Sequence, residues 1–131
     1  MRIHHIAIWT PDLDRLKGFY EKNFSARCGE KYSNPAKGYE SYFLSFDDGA
    51  SIEIMRRVDI PISPVDPMTQ VTGYTHLSVA VGSMEEVDRL TGLLAADGYP
   101  LVDGPRRTGD GYYESVVLDP DGNRVEINAA R

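Results

Sequence analysis

Residues 2–9, RIHHIAIW, place apolar and polar side chains in near alternation and are rich in β-branched residues. That period of two predicts a strand, ended by Thr10-Pro11-Asp12. The period then lengthens. Leu13, Leu16, Tyr20 and Phe24 recur at helical spacing, with Asp12 or Thr10 available as the cap. Gly18 inside this helix costs about 1 kcal/mol against alanine, so the apolar face has to carry it. Three strand-like stretches follow, near Cys28–Ser33, Tyr39–Phe46 and Ala50–Arg56, and Asp47-Asp48-Gly49 between the last two signals a hairpin.

The second half repeats this order. Thr75–Val81 reads as a strand, and Ser83-Met84-Glu85-Glu86 as a capping box in which Ser83 and Glu86 each satisfy an N–H at the helix start. Val87, Leu90 and Leu94 keep helical spacing, and Gly98 is placed to stop the helix. Strands near Leu101–Arg106, Tyr112–Leu118 and Arg124–Asn128 complete the set, with Asp119-Pro120-Asp121-Gly122 as the matching turn. His5 and His76 each open a strand, and a helix start lies seven positions on in both halves. Gly49 and Gly122 each precede a glutamate, Glu53 and Glu126, by four. The halves are offset by 71 positions at the histidines and 73 at the glutamates. Such a repeat means a duplicated supersecondary unit, here βαβββ. Module 1 covers about 1–57 and module 2 about 73–131 of a single domain. The stretch 58–72, with Pro61, Pro64 and Pro67, suits an extended linker.

The alternation also assigns faces. Ile6 and Ile8 share one side of the first strand, and His5, Ala7 and Trp9 the other. Glu53 lies opposite Ile52 and Ile54. His76 lies opposite Leu77, Val79 and Val81, and Glu126 opposite Val125 and Ile127. In all four strands an apolar face is free to pack on a helix, while the other face carries one ionisable group. A lone strand histidine is usually structural and a lone strand glutamate usually solvated. Recurrence at matching positions reverses those odds. If the modules are related by pseudo-twofold symmetry, two imidazoles and two carboxylates converge, and their two negative charges balance a divalent ion. Zn, Ni, Co and Mn all accept such a set. His4 falls on the Ile6 face and is matched by Thr75, so it reads as structural.

Composition narrows the rest. At 131 residues the chain fits one domain, and 41% hydrophobic with 26% charged residues is ordinary for a globular protein. No apolar run approaches the roughly 20 residues of a membrane span. The N-terminus lacks the features of a signal peptide, and the one cysteine, Cys28, forms no intrachain disulfide, so the expected compartment is the cytoplasm. A net charge of −6 without a basic stripe argues against nucleic acid. The pairs Arg56–Arg57 and Arg106–Arg107 suffice for one small anion.

The segments HHIAIWTPDLDRLKGFY, GASIEIM, GYTHLSVAV and DPDGNRVEI resemble the vicinal oxygen chelate superfamily, which includes glyoxalase I and bleomycin-resistance proteins. The resemblance covers both modules. It implies an α+β fold in which curled mixed sheets surround a metal-binding cleft, commonly in a homodimer. The pattern looks most like glyoxalase I, whose ligands map onto His5, Glu53, His76 and Glu126. That similarity implies a lyase or isomerase acting on a small substrate with adjacent oxygens, through an enediolate, with Glu126 the first candidate for the proton-moving carboxylate and Glu53 the second. The place of the arginine that grips glutathione in such enzymes holds Trp9, and the place of a glutathione-binding asparagine falls in Arg56-Arg57. Strict dependence on glutathione is therefore not expected. Trp9, Met55 and Arg57 share faces with the ligands and are candidate substrate contacts. Arg107 and Tyr113, flanking the Gly-rich stretch Thr108–Gly111, are candidates too, with that stretch as a lid. An epimerase on the same frame, or a non-catalytic small-ligand binder, are the alternatives.

Overall fold

The computed structural model describes residues 1–129 and divides into two compact units, Met1–Pro64 and a second beginning at Val65. Each unit is one helix packed on one mixed, curled sheet, so the chain is α+β.

In the first unit, β1 (His5–Trp9) leads through α1 (Leu13–Phe24) to β2 (Arg27–Cys28), β3 (Tyr32–Asn34), a 3-10 turn (Pro35–Lys37), β4 (Tyr39–Ser45) and β5 (Ser51–Arg57). The sheet order is β1-β5-β4-β2, with β3 also on β4, and β1 runs parallel to β5. Asp12 is the cap of α1, its carboxylate accepting from Arg15 N, while the Thr10 hydroxyl accepts from Asp12 N. The helix stops at Ser25, a non-glycine residue at φ 53°. Leu13, Leu16, Phe19, Tyr20 and Phe24 are buried together with Leu44, Ile52 and Ile54. The strand expected over Cys28–Ser33 is split. Cys28 pairs with Leu44 and Tyr32 with Ser41, so four steps on one strand meet three on the other, and the surplus residue breaks the ladder as a bulge.

The second unit repeats the plan with β6 (Leu77–Ala80), α2 (Met84–Ala96), β7 (Leu101–Arg107), β8 (Tyr113–Leu118) and β9 (Arg124–Ala129), ordered β6-β9-β8-β7 with β6 parallel to β9. Ser83 accepts from Glu86 N as the capping box requires, but the Glu86 carboxylate pairs with Arg89 one turn on. An i,i+3 arginine within reach of both its oxygens outcompetes the return bond. Gly98, at φ 90°, ends α2, with Gly98 N bonded to Ala95 O and Tyr99 N to Leu94 O, the paired bonds of a Schellman motif. Val87, Leu90 and Leu94 are buried with Val117, Val125 and Ile127.

The expected linker is not uniformly free. Arg124 donates to the carbonyls of Pro67 and Met68, and the Pro67 ring sits so close to Gly122 that a β-carbon there would meet it at 2.7 Å. Its second half is thereby fastened to the β8–β9 turn of the second unit. Neither helix among the described residues is long and apolar enough to cross a membrane.

Candidate metal centre

Cross-strand register decides what stands on the open face of the first sheet. Ala7, Glu53 and Phe43 form one row, Trp9, Met55 and Ser41 the next, and Arg57 and Tyr39 the last. Ile6, Ile8, Ile52, Ile54 and Leu44 fall on the opposite face, toward the buried side of α1. On the open face His5 Nε2 lies 3.6 Å from Glu53 Oε2, and the Tyr39 hydroxyl donates to Glu53 Oε1 at 2.9 Å. Burial pushes the Tyr39 phenol up, and donation to Glu53 adds to the shift. The other nitrogen of His5, Nδ1, is 2.8 Å from His4 Nδ1, and Phe43 meets the His5 ring edge-on at 5.3 Å. His4, expected on the Ile6 face, is exposed and partnered with His5; it lies before β1 begins, where alternation does not bind it.

The second unit holds the same pair. His76 Nε2 lies 3.3 Å from Glu126 Oε2. Ser78 Oγ donates to Glu126 Oε1 at 2.7 Å, and Asn128 Nδ2 reaches both Ser78 Oγ at 2.5 Å and Glu126 Oε1 at 3.3 Å. The environments match as well: the histidines are each 37% exposed, the glutamates 16% and 15%. Glu114 shares the Glu126 face through its pairing with Asn128. Burial raises its carboxyl, the Glu126 carboxylate raises it further, and Arg106, 3.7 Å away, opposes both.

The chemistry of the pairs fits a cation. Both N···O separations exceed an ordinary N–H···O bond of about 2.7–3.2 Å. Two ligands about 2.1 Å from one ion, a tetrahedral angle apart, stand about 3.4 Å from each other. In each pair one carboxylate oxygen is already held by neutral donors, leaving Oε2 facing the imidazole. A bond from His5 Nδ1–H to His4 leaves the Nε2 lone pair available, the orienting role that partners of ligand histidines commonly have. Among the described residues no three His, Cys, Asp or Glu side chains form a group; each unit holds two donors.

Of the candidate substrate contacts, Trp9, Met55 and Arg57 stand on the Glu53 face. Arg107 and Tyr113 do not stand on the Glu126 face. Arg107 contacts Met84 Sδ at 3.0 Å and lies 5.9 Å from the centre of the Tyr113 ring, whose hydroxyl donates to Asp88 of α2. Two register shifts in β7, at Leu101/Asp103 and Asp103/Arg106, set this parity, so Arg106 and Glu114 share the Glu126 face. Nor is Thr108–Gly111 an open lid: Thr108 N bonds Tyr112 O, Gly111 N bonds Thr108 O, and the Thr108 hydroxyl accepts from Tyr112 N. The stretch is a closed hairpin turn. Sequence reading missed Tyr39, Ser78 and Asn128. Ser78 and Asn128 each lie two positions beyond a ligand, and Tyr39 follows from counting register back from the Asp47–Gly49 turn.

The family model described as the Glyoxalase/Bleomycin resistance protein/Dioxygenase superfamily matches residues 2–127. The chain belongs to that superfamily. It is 27% identical to the uncharacterized protein YqjT of Bacillus subtilis, over 97% of this chain and 98% of the relative. It is 26% identical to the lactoylglutathione lyase of Haemophilus influenzae, over 97% of this chain and 91% of the relative. Among solved structures, the trypanothione-dependent glyoxalase I of Leishmania major superposes with a TM-score of 0.77 at 23% identity, covering 98% of this chain and 86% of that one.

Proposed function

We propose that this member of the superfamily is a metal-dependent enzyme of the glyoxalase I type, a lyase or isomerase that moves a proton beside a carbonyl of a small substrate. The observation that carries the reading is the pair of matched His–Glu sites, 3.6 and 3.3 Å across and alike in exposure. The four ligands are His5, Glu53, His76 and Glu126, one imidazole and one carboxylate from each unit, and Zn or Ni suits them first, with Co or Mn also acceptable. Held by these residues, a divalent ion would supply Lewis acidity to adjacent substrate oxygens. The residues do the rest. Tyr39 fixes Glu53 by one oxygen, and Ser78 with Asn128 fixes Glu126 likewise, so each glutamate presents Oε2 in a set direction. Glu126, with Glu53 as its counterpart, would take the proton from the carbon beside the carbonyl and return it to the neighbouring carbon. The low-identity likeness to a lactoylglutathione lyase supports this class of reaction.

The test is elemental analysis of protein exposed to Ni and Zn. About one ion per chain is expected, lost in a His5→Ala, Glu126→Ala double variant. An absence of bound metal would end the reading. The assembly proposed is a homodimer: β1 and β6 each have a neighbour on one side only, and Ile6 remains 38% exposed. If sites are shared between chains, mixing inactive His5→Ala with inactive Glu126→Ala protein restores one intact site per mixed dimer and with it activity. No recovery after verified subunit exchange rules the shared site out.

A further inference from the structure

The face that carries His5 and Glu53 also carries an aromatic surface that ligation does not require. Trp9, Phe43 and Tyr32 are 40%, 39% and 56% exposed. Three rings are joined, since Trp9 meets Tyr39 edge-to-face at 6.2 Å and Tyr39 meets Tyr32 at 6.0 Å, while Phe43 stands apart from them against His5. Isolated exposed apolar residues need no explanation, but a contiguous aromatic patch beside polar groups marks a binding surface. At its far end the Arg57 guanidinium lies 5.5 Å from the Trp9 ring centre. Arg57 Nε donates to Asp59, while its terminal Nη groups have no protein partner among the described residues. Arg56 alternates to the other face, where it pairs with Glu40 and the Pro11 carbonyl. Of this arginine pair only Arg57 stands on the open face, ion-paired through Nε with Asp59 and with its Nη groups left to a ligand.

Spacing limits what fits. Rows two residues apart along a strand stand about 6.7 Å apart, so the Arg57 row lies about 13 Å beyond the Glu53 row before the arginine leans back over Trp9. We propose, resting on the metal-site reading above, that this face is the subsite for a flat aromatic acid. Its ring lies against Trp9 and Tyr39, its carboxylate meets the Nη groups of Arg57, and its reactive oxygens point toward His5 and Glu53. A flexible peptide carrying several charges matches neither the ring surface nor the one pair of Nη groups that Arg57 offers.

Trp9 is the chain's single tryptophan, so its indole N–H gives one side-chain signal in a proton–nitrogen NMR spectrum. The full chain is titrated, without added metal, with phenylacetate, cyclohexylacetate and phenylacetamide. Phenylacetate should shift the Trp9 signal to saturation, with the other two about tenfold weaker, one for want of a flat ring and the other for want of charge. Arg57→Gln should weaken phenylacetate about tenfold and leave phenylacetamide unchanged, with the remaining spectrum reporting an intact fold. Arg57→Lys should recover part of the loss. Equal affinity for all three compounds, or phenylacetate binding indifferent to Arg57→Gln, overturns the subsite. Metal uptake measured on the same protein separates the two readings: uptake without discrimination among the acids sinks the subsite alone, and discrimination without uptake sinks the metal centre alone.

Discussion

Replacing Tyr39 with phenylalanine removes one oxygen and little else. The ring keeps its edge contacts with Trp9 and Tyr32, but the 2.9 Å bond to Glu53 Oε1 is lost. That bond ends on a carboxylate whose side chain is only 16% exposed, where water replaces it poorly. Hydrogen bonds to charged groups contribute roughly 1.5–3 kcal/mol, and loss of a partner that orients a ligand typically lowers metal affinity about 10–100-fold. We expect Tyr39→Phe to weaken Zn binding about tenfold, measured by competition with a chromophoric chelator. Ser78→Ala is the counterpart in the second unit. There Asn128 still reaches Glu126 Oε1 at 3.3 Å, so the expected loss is smaller, about threefold. Thermal denaturation of the metal-free variants checks that the fold is intact. If Tyr39→Phe binds Zn within twofold of the unmodified chain while Glu53→Ala loses it, the phenol does not orient the ligand and the reasoning fails.

With methylglyoxal and glutathione, S-lactoylglutathione formation should be weak or absent, because by the resemblance to glyoxalase I Trp9 takes the place of the carboxylate-gripping arginine; a kcat/KM within the usual enzyme range of about 10⁴–10⁸ M⁻¹s⁻¹ would contradict this. Gly18 and Gly92 sit in helices with nothing within 4 Å of a prospective β-carbon, so alanine at each should stabilise the chain by about 0.5–1 kcal/mol, visible as a rise of a few degrees in Tm. An unchanged or lowered Tm would mean that the helix surfaces are covered. Burial pushes the Cys28 thiol up, with Glu21 adding to it, so less of it is thiolate near pH 8 than in a free cysteine. Its reaction with a disulfide reagent should be slower than that of a free cysteine and keep rising above pH 9; a faster reaction would refute the assignment.

The duplication and the places of His5, Glu53 and Glu126 were legible because they rest on period and parity, which a single sequence displays, and His76, which precedes β6, was reached through the repeat spacing. A strand buried on one side against a helix must alternate, and Ile52-Glu53-Ile54 and Val125-Glu126-Ile127 do so without interruption. The bulged strands were not legible in the same way. Nothing in Cys28–Ser33 announces that four steps face three, and the two shifts in β7 set the parity that puts Arg107 against Met84 and leaves Arg106 with Glu114. The end of α1 at Ser25 was hidden too, since no glycine marks it. His4 escaped because it precedes the strand whose alternation was applied to it.

The two units keep the same donors but surround them differently, and that difference has a chemical direction. Glu53 is held by a phenol amid Trp9, Phe43 and Tyr32, rings that offer surface and few hydrogen-bond donors. Glu126 is held by a hydroxyl and an amide, with Glu114 and Arg106 on the same face. A ligand pair needs only one imidazole and one carboxylate, so a duplicated unit keeps those while the residues one or two strand positions away are free to diverge. On the proposed metal reading, divergence of that kind keeps the donors of each unit and confines discrimination among substrates to the neighbouring rows. Exchanging Phe43 for leucine should accordingly leave Zn affinity within about threefold, since its ring only abuts His5, yet alter which acids bind. A loss of metal as large as that of Glu53→Ala would instead make the aromatic surface part of the centre itself.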